Sequence, residues 1–408
     1  MTTPETKKYF LPALWVRFFG AIMLGVIYQF YYGGGDTFTY FNLGSKWIWE
    51  AFLEDPFIGL DLIFGAGEVT PENFQYTQHI YSFGDSASYF VVRVAGLFDI
   101  FTFHTYSSTA LLFSVLGFAG QWAMYTVFVK YFRKQNRYLA YVLLFLPSLF
   151  FWGSGLLKDT LTLGALGLFF YGLTDLVQFH RNKILSVILV LTGFWIIYTV
   201  KIYIVACFIP SAIVWIFYLY QTRLKNLIIK LLIAPVVVTL CVVLAGFAAI
   251  KVGEDNSRYS IESLAYTAES TAKWNYYVSN RDEGSGYNLG DFDFSPTGLA
   301  KKFFPAVITS FFRPFIWEAR NPVMLLSSLE NFIVIWLVLA VVLKKGSINY
   351  ISSHPILILC LFFAVFFGFA VGVTTYNFGS LVRYRIPMIP FLMAALVVLN
   401  YRKKKVEA

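Results

Sequence analysis

The chain has 408 residues, of which 58% are hydrophobic and only 13% charged, and it carries a net charge of +9. A soluble domain of ordinary composition is about 25% charged, so these residues hold too few charges to coat a globule, and a mean hydropathy of +0.64 agrees. A soluble enzyme, a disordered chain, a coiled coil and a nucleic-acid-binding domain are excluded as the main reading, because the bases sit in short turns between apolar runs and not on one surface.

A membrane crossing needs about 20 apolar residues. Such stretches run at about 11–32, 106–129, 138–152, 156–178, 184–200, 203–220, 227–250, 321–343, 354–374 and 386–401. The expected fold is all-α: a polytopic transmembrane bundle of about ten crossings, forming one integral membrane domain over residues 1–408. The first run is too long for a cleavable leader's apolar core, so none is expected. With ten crossings, Lys7 and Lys8, the bases between Lys130 and Arg137, Arg181 and Lys183, Arg223 to Lys230, Lys344 and Lys345, and Arg402 to Lys405 all fall on one side. By the positive-inside rule that side is the cytoplasm, with both termini inside and the chain multi-pass in a cell (inner or plasma) membrane.

Two long loops, 33–88 and 251–302, then lie outside. The first is strongly acidic, with Lys46 as its one base. Within it Lys46, Glu50 and Glu54 follow one another at four-residue steps while Trp47, Ile48, Ala51 and Phe52 occupy another face, the pattern of an interfacial helix that Pro56 ends. Runs 88–103 and 303–316 read as interfacial or re-entrant. The midplane of the spans reads as nearly free of ionisable residues, and the three cysteines as packed small apolar residues.

Charges near membrane depth are costly, so the polar residues on apolar segments are the informative ones. Four clusters map to the outer side. In Gly33-Gly34-Gly35-Asp36-Thr37-Phe38-Thr39-Tyr40 the glycines let the chain leave the first span sharply. Asp36 is then either a glycine-stopped helix end or a general base for a substrate hydroxyl. In Trp152-Gly153-Ser154-Gly155-Leu156-Leu157-Lys158-Asp159, the last two residues are either a mutual ion pair or an anion site, to which Lys201 and Tyr203 of the next outer turn add. The third cluster, Arg313 to Glu318, offers an Arg–Glu pair or a guanidinium for phosphate. In the fourth, Arg383-Tyr384-Arg385-Ile386-Pro387, two arginines stand outside against the positive-inside trend and are either compensated by an acidic loop or suit the phosphate or pyrophosphate of a lipid. The histidines are scattered without metal spacing, and no nucleophilic triad motif occurs. His79 is either an ordinary outer loop histidine or one that offers a substrate a hydrogen bond.

These residues resemble the polytopic GT-C-type glycosyltransferases, which take sugar from a lipid-linked donor. The likeness rests on Asp36 in GGGDTFTY, the interfacial helices behind it and the RYRIPMIP tract; the PSLFFWGSGLLKD tract is also similar to segments of bacterial polysaccharide polymerases. No Asp-Glu pair stands at the first-loop position and no soluble C-terminal domain follows Arg402, both departures from the family pattern.

The resemblance implies transfer, with inversion, of a sugar from a polyprenyl-phosphate donor to an acceptor hydroxyl on the outer face. Asp36 would be the base, and Lys158, Arg313, Arg383 and Arg385 would hold the lipid phosphate. Asp159, Tyr40, His79 and Glu318 complete the expected binding set. The expected partners are the lipid-linked sugar, a glycan, lipid or protein acceptor and membrane lipid. No nucleotide or other cofactor is expected, and a divalent metal is left open. A polysaccharide polymerase or ligase and a lipid-linked glycan flippase are the alternatives.

Overall fold

A computed structural model describes residues 2–221, 277, 286, 287, 289, 290 and 296–402. The described residues are helical, and six of their helices are long and apolar enough to cross a membrane, or seven if one bent pair counts as a span. The multi-pass helical architecture is therefore present, with six or seven candidate spans among the described residues where about ten crossings are expected over the whole chain. The expected crossing at 227–250 and nearly all of loop 251–302 lie outside the described residues. The chain divides into two compact units, Met1–Ile202 and Tyr203–Ala408, where the sequence reads as one domain.

In the first unit α1 (Pro4–Phe30) ends on Gly33, Gly34 and Gly35, all at positive φ. An L side chain resists that conformation, so these glycines make the turn that starts α2 (Asp36–Tyr40). A π-helical turn joins α2 to α3 (Lys46–Glu54), the expected interfacial helix, and Pro56 opens α4 (Pro56–Phe64). Next come α5 (Ser86–Thr102), which is not a candidate span, and α6 (Tyr106–Tyr131).

The stretch expected as a third crossing is broken. It forms α7 (Asn136–Leu144) and α8 (Pro147–Trp152), neither long enough to span, followed by α9 (Lys158–Thr174), which continues through one π-helical turn. Pro147 stops α7 because it lacks the N–H that the Leu143 carbonyl needs four residues earlier. Next is α10 (Lys183–Tyr220), 38 residues long with a non-helical Lys201 at φ −149°, ψ 73°. A straight helix of that length would reach about 57 Å, well past a bilayer core of about 30 Å. The break at Lys201 divides it where the sequence shows two crossings.

Helices α6 and α9 pack through small residues. Gly117 and Gly120 face Gly164 and Gly167, so close that a Cβ on Gly120 would overlap the Gly164 carbonyl.

The polar residues of this unit sort to two ends. At one, Arg133 Nε donates to both carboxylate oxygens of Glu5 (2.9 and 2.7 Å), Lys130 lies over the rings of Tyr171 and Phe179, and Asp175 accepts from Ser186 Oγ at 2.9 Å. At the other stand the ends of α1 and α8, the starts of α6 and α9, and Lys201.

The second unit, beyond the rest of α10, holds α11 (Pro296–Phe312), α12 (Pro322–Leu343), α13 (Pro355–Thr374) and two helices bent by 72° across 385–388, α14 (Phe378–Tyr384) and α15 (Ile389–Asn400). The last expected crossing, 386–401, is thus part of a broken pair. Its core is aromatic: Phe208, Phe363, Phe367 and Phe391 are fully buried.

Ala at position 120 gains about 1 kcal/mol in helix propensity, but the backbone opposite cannot yield as a flexible side chain would. Gly120→Ala should therefore lower stability by about 1–3 kcal/mol in thermal unfolding. Gly84→Ala, where a Cβ meets nothing within 4 Å, should leave the melting temperature nearly unchanged.

Candidate functional site

The breaks around α8 leave backbone carbonyls without helical partners inside the unit, and two side chains satisfy them. Gln121, from α6, donates its amide N–H to the Leu143 carbonyl that Pro147 cannot reach. Arg17, fully buried and midway along α1, donates to the Gln121 side-chain oxygen, to the Gly153 carbonyl and to Ser154 Oγ (3.2 Å). The Gly153 carbonyl is available because the Leu157 N–H turns instead to Gly155 O at 2.9 Å. Gly153 must be glycine here: a Cβ would stand 2.9 Å from Arg17 Nη1. Arg17 is an exception to the reading of a midplane nearly free of ionisable residues. Its charge meets only neutral oxygens, and its Nε has no partner. The sequence signal was a lone base inside the run 11–32.

This network ends the non-helical stretch so that Lys158 and Asp159 open α9. Leu157 stands at the N-cap and no side chain caps the helix, so its first amides present partial positive charge. Lys158 and Asp159 do not pair with each other. Lys158 Nζ lies 3.3 Å from Asp85 Oδ2, and Lys201 Nζ contacts Asp159 Oδ1. Lys158 is also within electrostatic reach of Lys201 and Asp36. Asp36, half buried, opens α2, where the neighbouring Thr37 hydroxyl is 2.8 Å from the Tyr106 hydroxyl. The first and second sequence clusters therefore meet, joined by Lys201 as expected and by Asp85, which the sequence reading placed only among the loop acids.

The two ion pairs differ in burial. Lys201 and Asp159 side chains are 7% and 1% exposed, Lys158 and Asp85 are 20% and 57% exposed. Burial raises the Asp85 carboxyl's pKa, but the Ser88 hydroxyl and the Lys158 ammonium outweigh it and hold the group below its ordinary value of 3.8.

Of the other expected residues in this unit, Tyr40 is buried in the apolar core with Phe41 and Ile48. His79 is exposed with its ring stacked 4.3 Å from Trp47. A further pair went unnoticed in sequence: His104 Nδ1 lies 2.8 Å from Oδ2 of the fully buried Asp99, whose other oxygen accepts from Thr109 at 2.6 Å. Five residues apart across a helix end, they show no periodic signal.

The third and fourth clusters meet within the second unit. Arg385 is buried, donating to the carbonyls of Ser310 and Arg313 (both 3.0 Å) and to Asn331 Oδ1 at 2.6 Å. The expected phosphate role does not fit this placement, because its Nη donors are taken by α11 and α12 and no face of it reaches solvent. Arg313 pairs with Glu318 (Nε to Oε1 3.0 Å) and lies over the rings of Phe378 and Tyr287, at 4.9 and 5.7 Å, so the Arg–Glu alternative describes both residues. Arg383 is half buried in the last turn of α14. Among the described residues no group of three or more His, Cys, Asp or Glu is placed to hold a metal ion.

No family model matches the sequence, and neither a curated protein nor a solved structure does.

Lys201→Met breaks a buried ion pair and should cost about 3–5 kcal/mol. Lys158→Met removes a half-exposed pair and should cost under about 1 kcal/mol; thermal unfolding of the purified variants separates the two. Because Asp85's folded pKa lies below its ordinary one, its pairing stabilises above pH 3.8 and fades as pH falls through the folded value. The exposed Asp85 limits the effect to under about 1 kcal/mol. The stability gap between the protein and Asp85→Asn should be present at pH 7 and closed by about pH 2, measured by unfolding across that range.

Proposed function

We propose that the chain is a membrane glycosyltransferase that moves a sugar from a polyprenyl-phosphate donor to an acceptor hydroxyl. The reading includes about ten crossings, both termini in the cytoplasm and a site on the outer face of a cell membrane. The observation that carries it is the gathering of Asp36, Lys158, Lys201 and the uncapped start of α9 at one end of the first unit. The basic residues at that unit's opposite end, Lys130, Arg133 and Arg181 among them, support the orientation.

The chemistry follows from these groups. Lys158 and the first amides of α9 hold the donor phosphate and stabilise it as it leaves. Asp36 accepts the proton of the acceptor hydroxyl as that oxygen attacks the anomeric carbon, and the C–O bond to phosphate breaks on the opposite side, giving inversion. Asp159 and Lys201 neutralise each other and fix the helix start. The candidate site residues gather at one end of the unit, and Arg17, midway along α1, is fully buried and enclosed by neutral oxygens, which favours a transferase over a flippase.

Asp36→Asn in purified protein should reduce sugar transfer from a polyprenyl-phosphate sugar by about 10²–10⁴-fold while donor binding persists. Full activity in a folded Asp36→Asn protein removes Asp36 as the base. Arg383→Ala separately measures whether that residue serves the donor phosphate, with weaker donor binding expected.

A further inference from the structure

We infer that Asp85 competes with the donor phosphate for Lys158, so that phosphate binding opens the Lys158–Asp85 pair and leaves Lys201–Asp159 closed. This rests on Lys158 being the phosphate ligand of the preceding reading, and it names the residue that sets how tightly the lipid phosphate is held.

An anion arriving at the start of α9 meets two lysines that each already have a carboxylate. Taking Lys201 would break an ion pair whose carboxylate is only 1% exposed, where water cannot solvate the charge. Breaking a buried pair of that kind weakens binding by more than about a hundredfold. Taking Lys158 costs far less. Asp85 is 57% exposed, so water solvates it as Lys158 departs, and Ser88 keeps its hydrogen bond to the carboxylate. Opening a pair of this exposure costs only a few-fold in affinity. The phosphate gains from the ammonium and from the positive field at the start of α9 together. Asp85 is held by Lys158 and Ser88.

The charge count gives Asp85 a second effect. Among the five charged residues around the start of α9, Asp36, Asp85 and Asp159 against Lys158 and Lys201 sum to −1. An incoming anion meets repulsion that Asp85 supplies, so only a ligand that adds hydrogen bonds to charge binds well. A phosphate on a polyprenyl chain, held in the bilayer beside the site, meets that requirement.

The test uses the full chain in phosphatidylcholine nanodiscs titrated with polyprenyl monophosphate, and in parallel with inorganic phosphate. Asp85→Asn removes the charge but keeps the shape, an oxygen for Ser88 and a residue that starts helices well. Melting curves confirm that this variant is folded. Asp85→Asn should bind polyprenyl monophosphate about three- to tenfold tighter than the unaltered protein. Lys158→Gln should bind at least about tenfold weaker, and adding Asp85→Asn to it should restore nothing, because the competition is for that one ammonium.

Unchanged or weaker binding by folded Asp85→Asn, with Lys158→Gln impaired, overturns the competition while leaving Lys158 as the ligand. Unimpaired binding by Lys158→Gln overturns the underlying phosphate reading and the competition with it. A gain seen with inorganic phosphate and absent with the lipid overturns the lipid as the source.

Discussion

The first unit depends on how it satisfies carbonyls that its broken helices leave open. A carbonyl four residues before a proline has no backbone donor, and at membrane depth no water replaces it. Leu143 before Pro147 is such a group, and Gln121 from α6 takes it. Arg17 then binds Gln121 and the Gly153 carbonyl, so two breaks in one chain segment are held by donors from two other helices. The arrangement recurs in the second unit. Ser310 stands four residues before Pro314, and its carbonyl is taken by Arg385, while Asn331 donates to the Pro314 carbonyl at 2.9 Å.

This economy explains why two arginines that look functional are occupied. A guanidinium has five donors in a fixed plane and stays charged under nearly all conditions, which makes it suited to several carbonyls at once. An Arg holding backbone is not free to hold phosphate. A lysine presents a single compact charge on a flexible stem, so Lys158, 20% exposed beside an Asp85 that is 57% exposed, is the cation at this end that is proposed as exchangeable. Burial, more than charge, separates the structural cations of this chain from the exchangeable one.

The spans were legible because an apolar run has one meaning in a long hydrophobic chain. Proline and glycine positions marked most ends, including the Gly33 to Gly35 turn that sets Asp36 at the start of α2. What the sequence did not disclose was pairing across distance. Lys158 next to Asp159 reads as a mutual pair, yet in α9 successive side chains point about 100° apart, and each found a partner from another segment. Arg313 and Glu318 could be paired by inspection because they are close in sequence across one tight turn. Arg17 and Gln121 could not, being 104 residues apart. Neither could the break in 138–152, since hydropathy averages over the single residue that decides whether a helix continues, whereas the break at Lys201 falls between the runs 184–200 and 203–220.

Lys201 joins these two themes. Its backbone is extended inside a helical stretch, a conformation that forfeits helical hydrogen bonds and needs compensation. The buried side-chain contact with Asp159 ties the break in α10 to the first turn of α9. Asp159 also lies favourably in the positive field at that helix start. One ion pair thus fixes a helix break and a helix beginning together, and it does so with the neighbour of the lysine assigned to substrate. The rigid pair and the exchangeable pair are adjacent in sequence because both draw on the same helix end: Asp159 anchors it from inside, and Lys158, one residue earlier and turned outward, carries the charge that a ligand can reach.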